Sequence, residues 1–268
     1  MIGFIVPIKP KKFSKDWEYE NKLLERTLRS ITQQTDQCFK VFVVYNKEDK
    51  PEIDFEHSLI SWIRYDFPFV EVEKIADYKS FVYKWHKPDY AEKMFDKGRK
   101  ISYGCSFAKK MNCDYIMAID SDDLISNRIA SFVNEYGNSE PGWYICNGYM
   151  YNENSKILVR SRQLHNINGS TFIIRKDLVP DCDFASLNFM DYNFFEAHGY
   201  LLLRIKQLFG LELAMLPFYG TVYVLHPNNS SDIFRLFNSS VIKKCTKYFL
   251  FGKLMNKGIR KEFNLFNL

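Results

Sequence analysis

No Cys-x-x-Cys pair occurs among the six cysteines, Cys38, Cys105, Cys113, Cys146, Cys182 and Cys245. That spacing argues against a structural zinc site and predicts free thiols in a reducing compartment. Long hydrophobic runs are also missing. The opening MIGFIVPI is apolar but too short for a signal-peptide core or a spanning helix, and no basic segment leads it. Together these absences predict a cytoplasmic protein, in which the Asn-x-Ser/Thr matches at Asn168 and Asn238 are chance. No internal repeat or low-complexity segment is present. Charge of one sign is not in large excess: a net +5 over 268 residues gives no argument for a nucleic-acid partner.

The chain is 46% hydrophobic, 17% aromatic and 26% charged, which fits one large globular domain with a ring-rich core. Its basic character is local. Residues 233–268 hold Arg235, Lys243, Lys244, Lys247, Lys253, Lys257, Arg260 and Lys261 against Glu262 alone, so this tail supplies more than the whole net charge. Phenylalanine, leucine and tyrosine are interleaved with the lysines. That pattern predicts one or two amphipathic basic helices, either packed on the domain with a solvated face or lying on an anionic membrane surface.

The apolar patterning predicts strands at 3–8 and 39–46, a helix at 20–34, a helix at 59–67 and a strand at 69–75. Strand and helix alternating in this way predict an α/β protein with a mostly parallel central sheet flanked by helices. Residues 76–98 read as an irregular aromatic loop, KISYGCSFAKKMN as a helix, and CDYIMAI as a buried strand. A helix over 125–136, a hairpin over 142–162, a strand within GSTFIIRKDLV, a long helix over 190–209 and a strand in GTVYVL follow.

In such sheets ligands bind beyond the carboxyl ends of the strands. Pro7 with Lys9, Asn46, and the cluster Asp120, Ser121, Asp122 and Asp123 all fall at such ends. Three carboxylates in four residues repel one another and cost free energy to desolvate unless a cation compensates. A divalent cation shared with a diphosphate is one solution; a turn followed by a helix cap is the other.

Asp120-Ser-Asp122-Asp123 after an apolar strand resembles the D-x-D motif of GT-A fold glycosyltransferases, in the form common among family 2-like enzymes. FIVPIKP at the first strand and TLRSITQQTDQCFKVFVV across the first helix and second strand are similar to the same family. So are MDYNFFEAHGYLL and VYVLHPNNSS further on, where Met190-Asp191 stands for the usual Glu-Asp. Tyr45-Asn46-Lys47 replaces the usual acidic residues after the second strand.

The resemblance implies a GT-A domain over residues 1–232. Its nucleotide-sugar half is 1–123, its acceptor half 124–232, and the basic helical extension 233–268 follows. It implies a metal-dependent transferase moving a sugar from a nucleotide-diphosphate sugar, UDP favoured, to a hydroxyl on a glycan or lipid-linked acceptor. Inversion, a place in polysaccharide or glycolipid biosynthesis, and a cytoplasmic position, peripheral on the inner membrane face, belong to the same expectation.

Asp122 is expected to hold Mn²⁺ or Mg²⁺, Asp120 to serve ribose and metal, His226 to complete the metal site, and Asp123 to support or cap. As a bare residue, His226 reads first as an ordinary loop histidine, and only the resemblance raises the metal role beside it. Asp191 is expected to be the general base, or else a helix cap; Glu196, five residues on in one helix, would face elsewhere. Pro7, Lys9, Asn46, Asp77, Arg99, Lys100 and Ser121 are candidate nucleotide-sugar contacts, with Arg99 and Lys100 equally readable as a solvated charge run. Tyr78, Tyr83, Trp85, His86 and Tyr90 offer aromatic platforms or local packing, and Asp89 joins Asp77 as a candidate for uracil or ribose. A nucleotidyltransferase would share the metal site, but the first strand is followed by VPIKPKKFSKD, which has no glycine for a phosphate loop. A non-catalytic sugar- or nucleotide-binding module is the third reading.

Overall fold

The computed structural model describes residues 1–77, 79, 88–196, 198–229 and 241–265. Strands β1 (Ile2–Pro7), β2 (Phe39–Asn46) and β3 (Ile60–Tyr65) run parallel, and β4 (Tyr115–Ala118) pairs parallel on the other side of β1. With β6 (Gly142–Tyr144), β9 (Phe172–Arg175) and β10 (Ala214–Met215) they form a seven-stranded sheet in the order β10-β6-β9-β4-β1-β2-β3. Only β9 runs against the rest, so the sheet is mostly parallel.

Side chains alternate across a strand, and here each face is covered by helices. Ile2, Phe4 and Val6 of β1 face Leu24, Leu28 and Ile31 of α1 (Trp17–Thr32) and Ile129, Ala130 and Val133 of α3 (Ile129–Tyr136). Ile5 and, from β2, Phe42 and Val44 face Ile101, Cys105 and Ala108 of α2 (Pro88–Lys110) and Leu201 and Ile205 of α4 (His198–Phe209). Each fully buried leucine or isoleucine contributes about 1.5–3 kcal/mol. Asp16 caps α1 by accepting from the Tyr19 backbone N–H at 3.0 Å.

A second sheet, in the order β12-β8-β7-β11-β5, joins β5 (Leu124–Ile125), β7 (Gly148–Asn152), β8 (Ile157–Ser161), β11 (Thr221–Leu225) and β12 (Gly252–Leu254). The basic tail therefore contributes more than helices. α5 (Val241–Phe251) leads into β12, which pairs with β8, and α6 (Lys257–Phe263) buries Ile259 and Phe263 beside Leu124 and Tyr149. The boundary expected at 232–233 lies outside the described residues, as does Arg235.

Several elements differ from the patterned reading. Residues 59–67 are not helical: β3 pairs with the free edge of β2, where half-buried side chains suffice. With that edge taken, 69–75 carry only a short 3-10 turn at Val72–Lys74. The expected irregular loop is helical from Pro88, lengthening α2. The expected helix over 190–209 is a 3-10 turn at Phe189–Tyr192, an irregular link, and then α4.

α2 approaches that turn closely at Gly98, where a Cβ would stand 2.4 Å from the Tyr192 carbonyl oxygen. Gly98→Ala gains about 1 kcal/mol of helix propensity but forces backbone apart, an overpacking cost of about 1–3 kcal/mol. We expect a net loss of up to about 2 kcal/mol, read as a lower urea midpoint at unchanged slope.

Candidate active site

The parallel ladder brings the carboxyl ends of β1 and β4 side by side, and a cleft opens there. It is lined by Pro7 and Lys9 at the end of β1, Asp120, Ser121 and Asp122 after β4, and Tyr90 and Lys97 from α2. Gly169, Glu196, His198, His226 and Asn229 complete the wall. The acidic turn is held from below. Asp123 N–H donates to the Asp120 carbonyl at 3.1 Å, and the Thr27 hydroxyl of α1 donates to the Ser121 carbonyl at 3.1 Å.

Asp123 is fully buried and points away from the cleft. It accepts from Asn168 Nδ2 and Ser170 Oγ, both at 2.7 Å, and from the Val224 N–H at 3.3 Å. Burial, aided by the neighbouring Asp122 and Asp120 charges, pushes its carboxyl well up. Ser170 Oγ also accepts from the Asp120 N–H at 2.8 Å, so one hydroxyl ties both carboxylate positions to the floor. Asp123 does not cap α3, which begins at Ile129.

Asp122 faces the cleft. Its Oδ2 lies 2.8 Å from His226 Nε2 and accepts from Asn229 Nδ2 at 3.2 Å. Burial alone would raise the Asp122 carboxyl, but the His226 contact reverses that and holds it below its ordinary value. His226 follows β11 and is fixed by two hydrogen bonds: its N–H donates to Asn229 Oδ1 at 2.7 Å, and its Nδ1 accepts from the Asn228 N–H at 3.3 Å. The expected pairing of Asp122 with His226 on one wall is thus present as a contact.

Lys97 is the residue the sequence reading missed. Its ammonium lies 2.7 Å from Asp120 Oδ1 and 3.5 Å from Glu196 Oε1, with the side chain 30% exposed. Burial alone would lower the ammonium, but the two carboxylates reverse that and hold it well up. Burial pushes the Glu196 carboxyl up to about 7, against the pull of Lys97. His198 is pushed down to about 4 by burial and by Lys97, so its imidazole is neutral at pH 7.

Asp191 and Glu196 therefore exchange the expected places. The 100° per residue rotation that turned Glu196 away applies only to one continuous helix, and the chain breaks between the 3-10 turn and α4. Asp191 is left exposed, accepting from the Ser186 hydroxyl, and does not line the cleft. Glu196, on the link into α4, does.

Four expected nucleotide contacts sit elsewhere. Arg99 is two residues round α2 from Lys97; it donates to the Pro68 and Phe184 carbonyls among the rings of Tyr65, Phe67, Phe95 and Tyr192. Lys100 is fully buried beneath the end of β1, bonded to the Ile8 carbonyl at 2.6 Å and Asp96 at 2.7 Å. Asn46 is buried and donates to Asp96 at 3.3 Å, one layer below the cleft. Asp77 is exposed beside the bridge joining Ala76 to Asn188. Lys100 and Asn46 shape the cleft floor through Asp96. Tyr78, Tyr83, Trp85 and His86 lie outside the described residues.

The acidic turn offers a candidate seat for a divalent cation. Carboxylate oxygens of Asp120, Asp122 and Asp123 come within 4.8 Å of one another. Asp123 already accepts three hydrogen bonds, which leaves Asp120 and Asp122 of this group, with His226 beside them on Asp122 Oδ2. Carboxylate oxygens suit Mg²⁺ and Mn²⁺.

No family model matches the chain, and no curated protein matches it. Among solved structures it is similar to S. aureus TarS 1–349 in complex with UDP (TM-score 0.45, 13% identity, 84% of this chain and 61% of that one). The complex of the same protein with UDP-GlcNAc gives a TM-score of 0.44 at 14% identity over 87% and 63%. Francisella tularensis 2-C-methyl-D-erythritol 4-phosphate cytidylyltransferase is also similar (0.37, 13% identity, 89% and 98%). The chain spans about 60% of the TarS fragment.

Proposed function

We propose that the chain is a metal-dependent glycosyltransferase that moves a sugar from a nucleotide-diphosphate donor to an acceptor hydroxyl. The observation that carries this reading is one cleft whose lining brings Asp120, Asp122 and His226 together with a buried carboxyl, Glu196, pushed up to about 7. A general base works best with such a value near the working pH.

Glu196 takes the proton of the acceptor hydroxyl as its oxygen bonds to the anomeric carbon. The bond from that carbon to the diphosphate oxygen breaks, its electron pair leaves with the nucleoside diphosphate, and the anomeric centre inverts. The sugar carries positive charge at the transition state, which the nearby Asp120 and Glu196 carboxylates tolerate. Asp120 and Asp122, with His226 beside them, would hold a divalent cation, and such a cation would supply charge neutralisation at the leaving diphosphate. Lys97, paired with Asp120 and Glu196, and Lys9, paired with Glu20, place two ammonium groups on the same wall. A UDP-sugar donor and a glycan or lipid-linked acceptor in polysaccharide or glycolipid biosynthesis complete the reading.

UDP with Mn²⁺, at about a hundred times its dissociation constant, should stabilise the fold by about 2.7 kcal/mol, a thermal shift of several degrees. Neither component alone should give that shift. A panel of UDP-sugars with simple acceptors then distinguishes the chemistry. Release of UDP supports transfer; release of pyrophosphate from UTP and a sugar phosphate would mean a nucleotidyltransferase; no shift at all would mean neither.

A further inference from the structure

Among the described residues the greatest exposure of large apolar side chains falls at the end of α5 and on β12. Phe249 is 89% exposed, Leu250 56%, Phe251 50% and Leu254 70%. Nearby Tyr248 turns the other way, into the core with Val159, Leu164 and Tyr223. The helix is therefore anchored by one ring while its next residues project outward. Leaving four such side chains in water forgoes several kcal/mol of burial, so the arrangement calls for an occupant.

The charge around the patch names that occupant. Segments 155–163 and 246–261, joined by the β8–β12 pairing, hold eight basic residues and no acidic one. Arg160 lies against the patch, donating to the Phe251 carbonyl at 3.4 Å, and Lys253 and Lys257 are exposed. The acids flanking these segments are already engaged: Glu153 by Arg26 at 2.9 Å, and Glu262 by Arg128 at 2.8 Å and by Ser126 at 2.7 Å. Apolar side chains framed only by cations match an anionic bilayer, where rings enter the acyl boundary and lysines meet the headgroups. A second copy of this chain would bring the same positive charge and be repelled. β12 is also only three residues long and bears Lys253, features that blunt edge-to-edge pairing.

We propose that α5 and β12 form a peripheral docking surface for anionic lipid. The surface adjoins the cleft across the sheet. Gly252, Val159, Met150 and Tyr223 share one row across β12, β8, β7 and β11, and Tyr223 lines the cleft. Three strand spacings put the patch about 14 Å from Tyr223. The inference extends the proposed function toward a lipid-linked acceptor but does not require it, because lipid binding is measured without substrate.

The test is flotation of the full chain with vesicles of phosphatidylcholine alone and of phosphatidylcholine mixed with phosphatidylglycerol. We expect binding to the mixed vesicles only, lost as salt rises. Phe249→Glu with Leu250→Glu should abolish it at an unchanged thermal midpoint. Should that variant not fold, Lys253→Ala with Lys257→Ala should weaken binding by about five-fold for each lysine removed. Three results would overturn the proposal: no binding to mixed vesicles, equal binding to neutral ones, or binding indifferent to both variants. A dimer of the wild type in light scattering that Phe249→Glu dissociates would assign the patch to a second copy instead.

Discussion

Glu196→Gln is expected to lower kcat/KM for sugar transfer by about 10²–10⁴-fold while changing donor affinity by no more than a few-fold. The variant keeps the side chain's size and removes only its ability to accept a proton. The pH profile separates this role from a structural one. Because burial raises the Glu196 carboxyl to about 7, the wild-type base is ionised only above that value, and kcat/KM should climb through pH 7 before levelling. In Glu196→Gln that limb should vanish. Lys97→Met should instead shift the limb upward, since the ammonium opposes the effect of burial on Glu196. Asp191→Asn is the contrast: its carboxylate is exposed and off the cleft, so activity within a few-fold of wild type is expected. A full loss in Asp191→Asn with activity retained in Glu196→Gln would reverse the assignment.

That reversal shows where sequence reasoning reached its limit. The strands over 2–7 and 39–46, the helix over 17–32 and the acidic turn after β4 were legible because local periodicity and burial coincide there. Asp122 and His226, 104 positions apart, were paired only through the family resemblance; no local pattern joins them. Lys97 was hidden among Lys93, Arg99 and Lys100, cations close together on one helix. Which of them meets solvent, a carbonyl or a carboxylate depends on how α2 rolls against β1, and that is set by Gly98 and Gly104 fitting against Tyr192 and Ile5. The strand over 60–65 was misread as a helix because an edge strand with half-buried side chains lacks clean alternation. Tertiary pairing, not propensity, decides such segments.

Asp122→Ala should abolish the metal-dependent part of UDP stabilisation and lower kcat/KM by at least about 10²-fold, the range set by losses around bound metals. Two effects on the metal-free fold oppose each other. The substitution removes the pair with His226, but it also relieves repulsion on buried Asp123. The protein should therefore remain folded, and the lost shift can be read as lost binding. Asp123→Asn should behave in the opposite way. Its carboxylate now accepts from Asn168, Ser170 and Val224, and an amide group placed there would turn a donor toward donors. A buried mismatch of that kind costs about 1–3 kcal/mol, so a lower thermal midpoint is expected without metal. Mn²⁺ and UDP should still raise it by a similar increment. If Asp122→Ala retained the full Mn²⁺-dependent shift, the cation would be held elsewhere and the cleft would lose its claim to the chemistry. If Asp123→Asn lost only that shift at an unchanged midpoint, Asp123 would be a direct ligand. The two neighbouring aspartates thus report separately on the cation and on the floor that carries it.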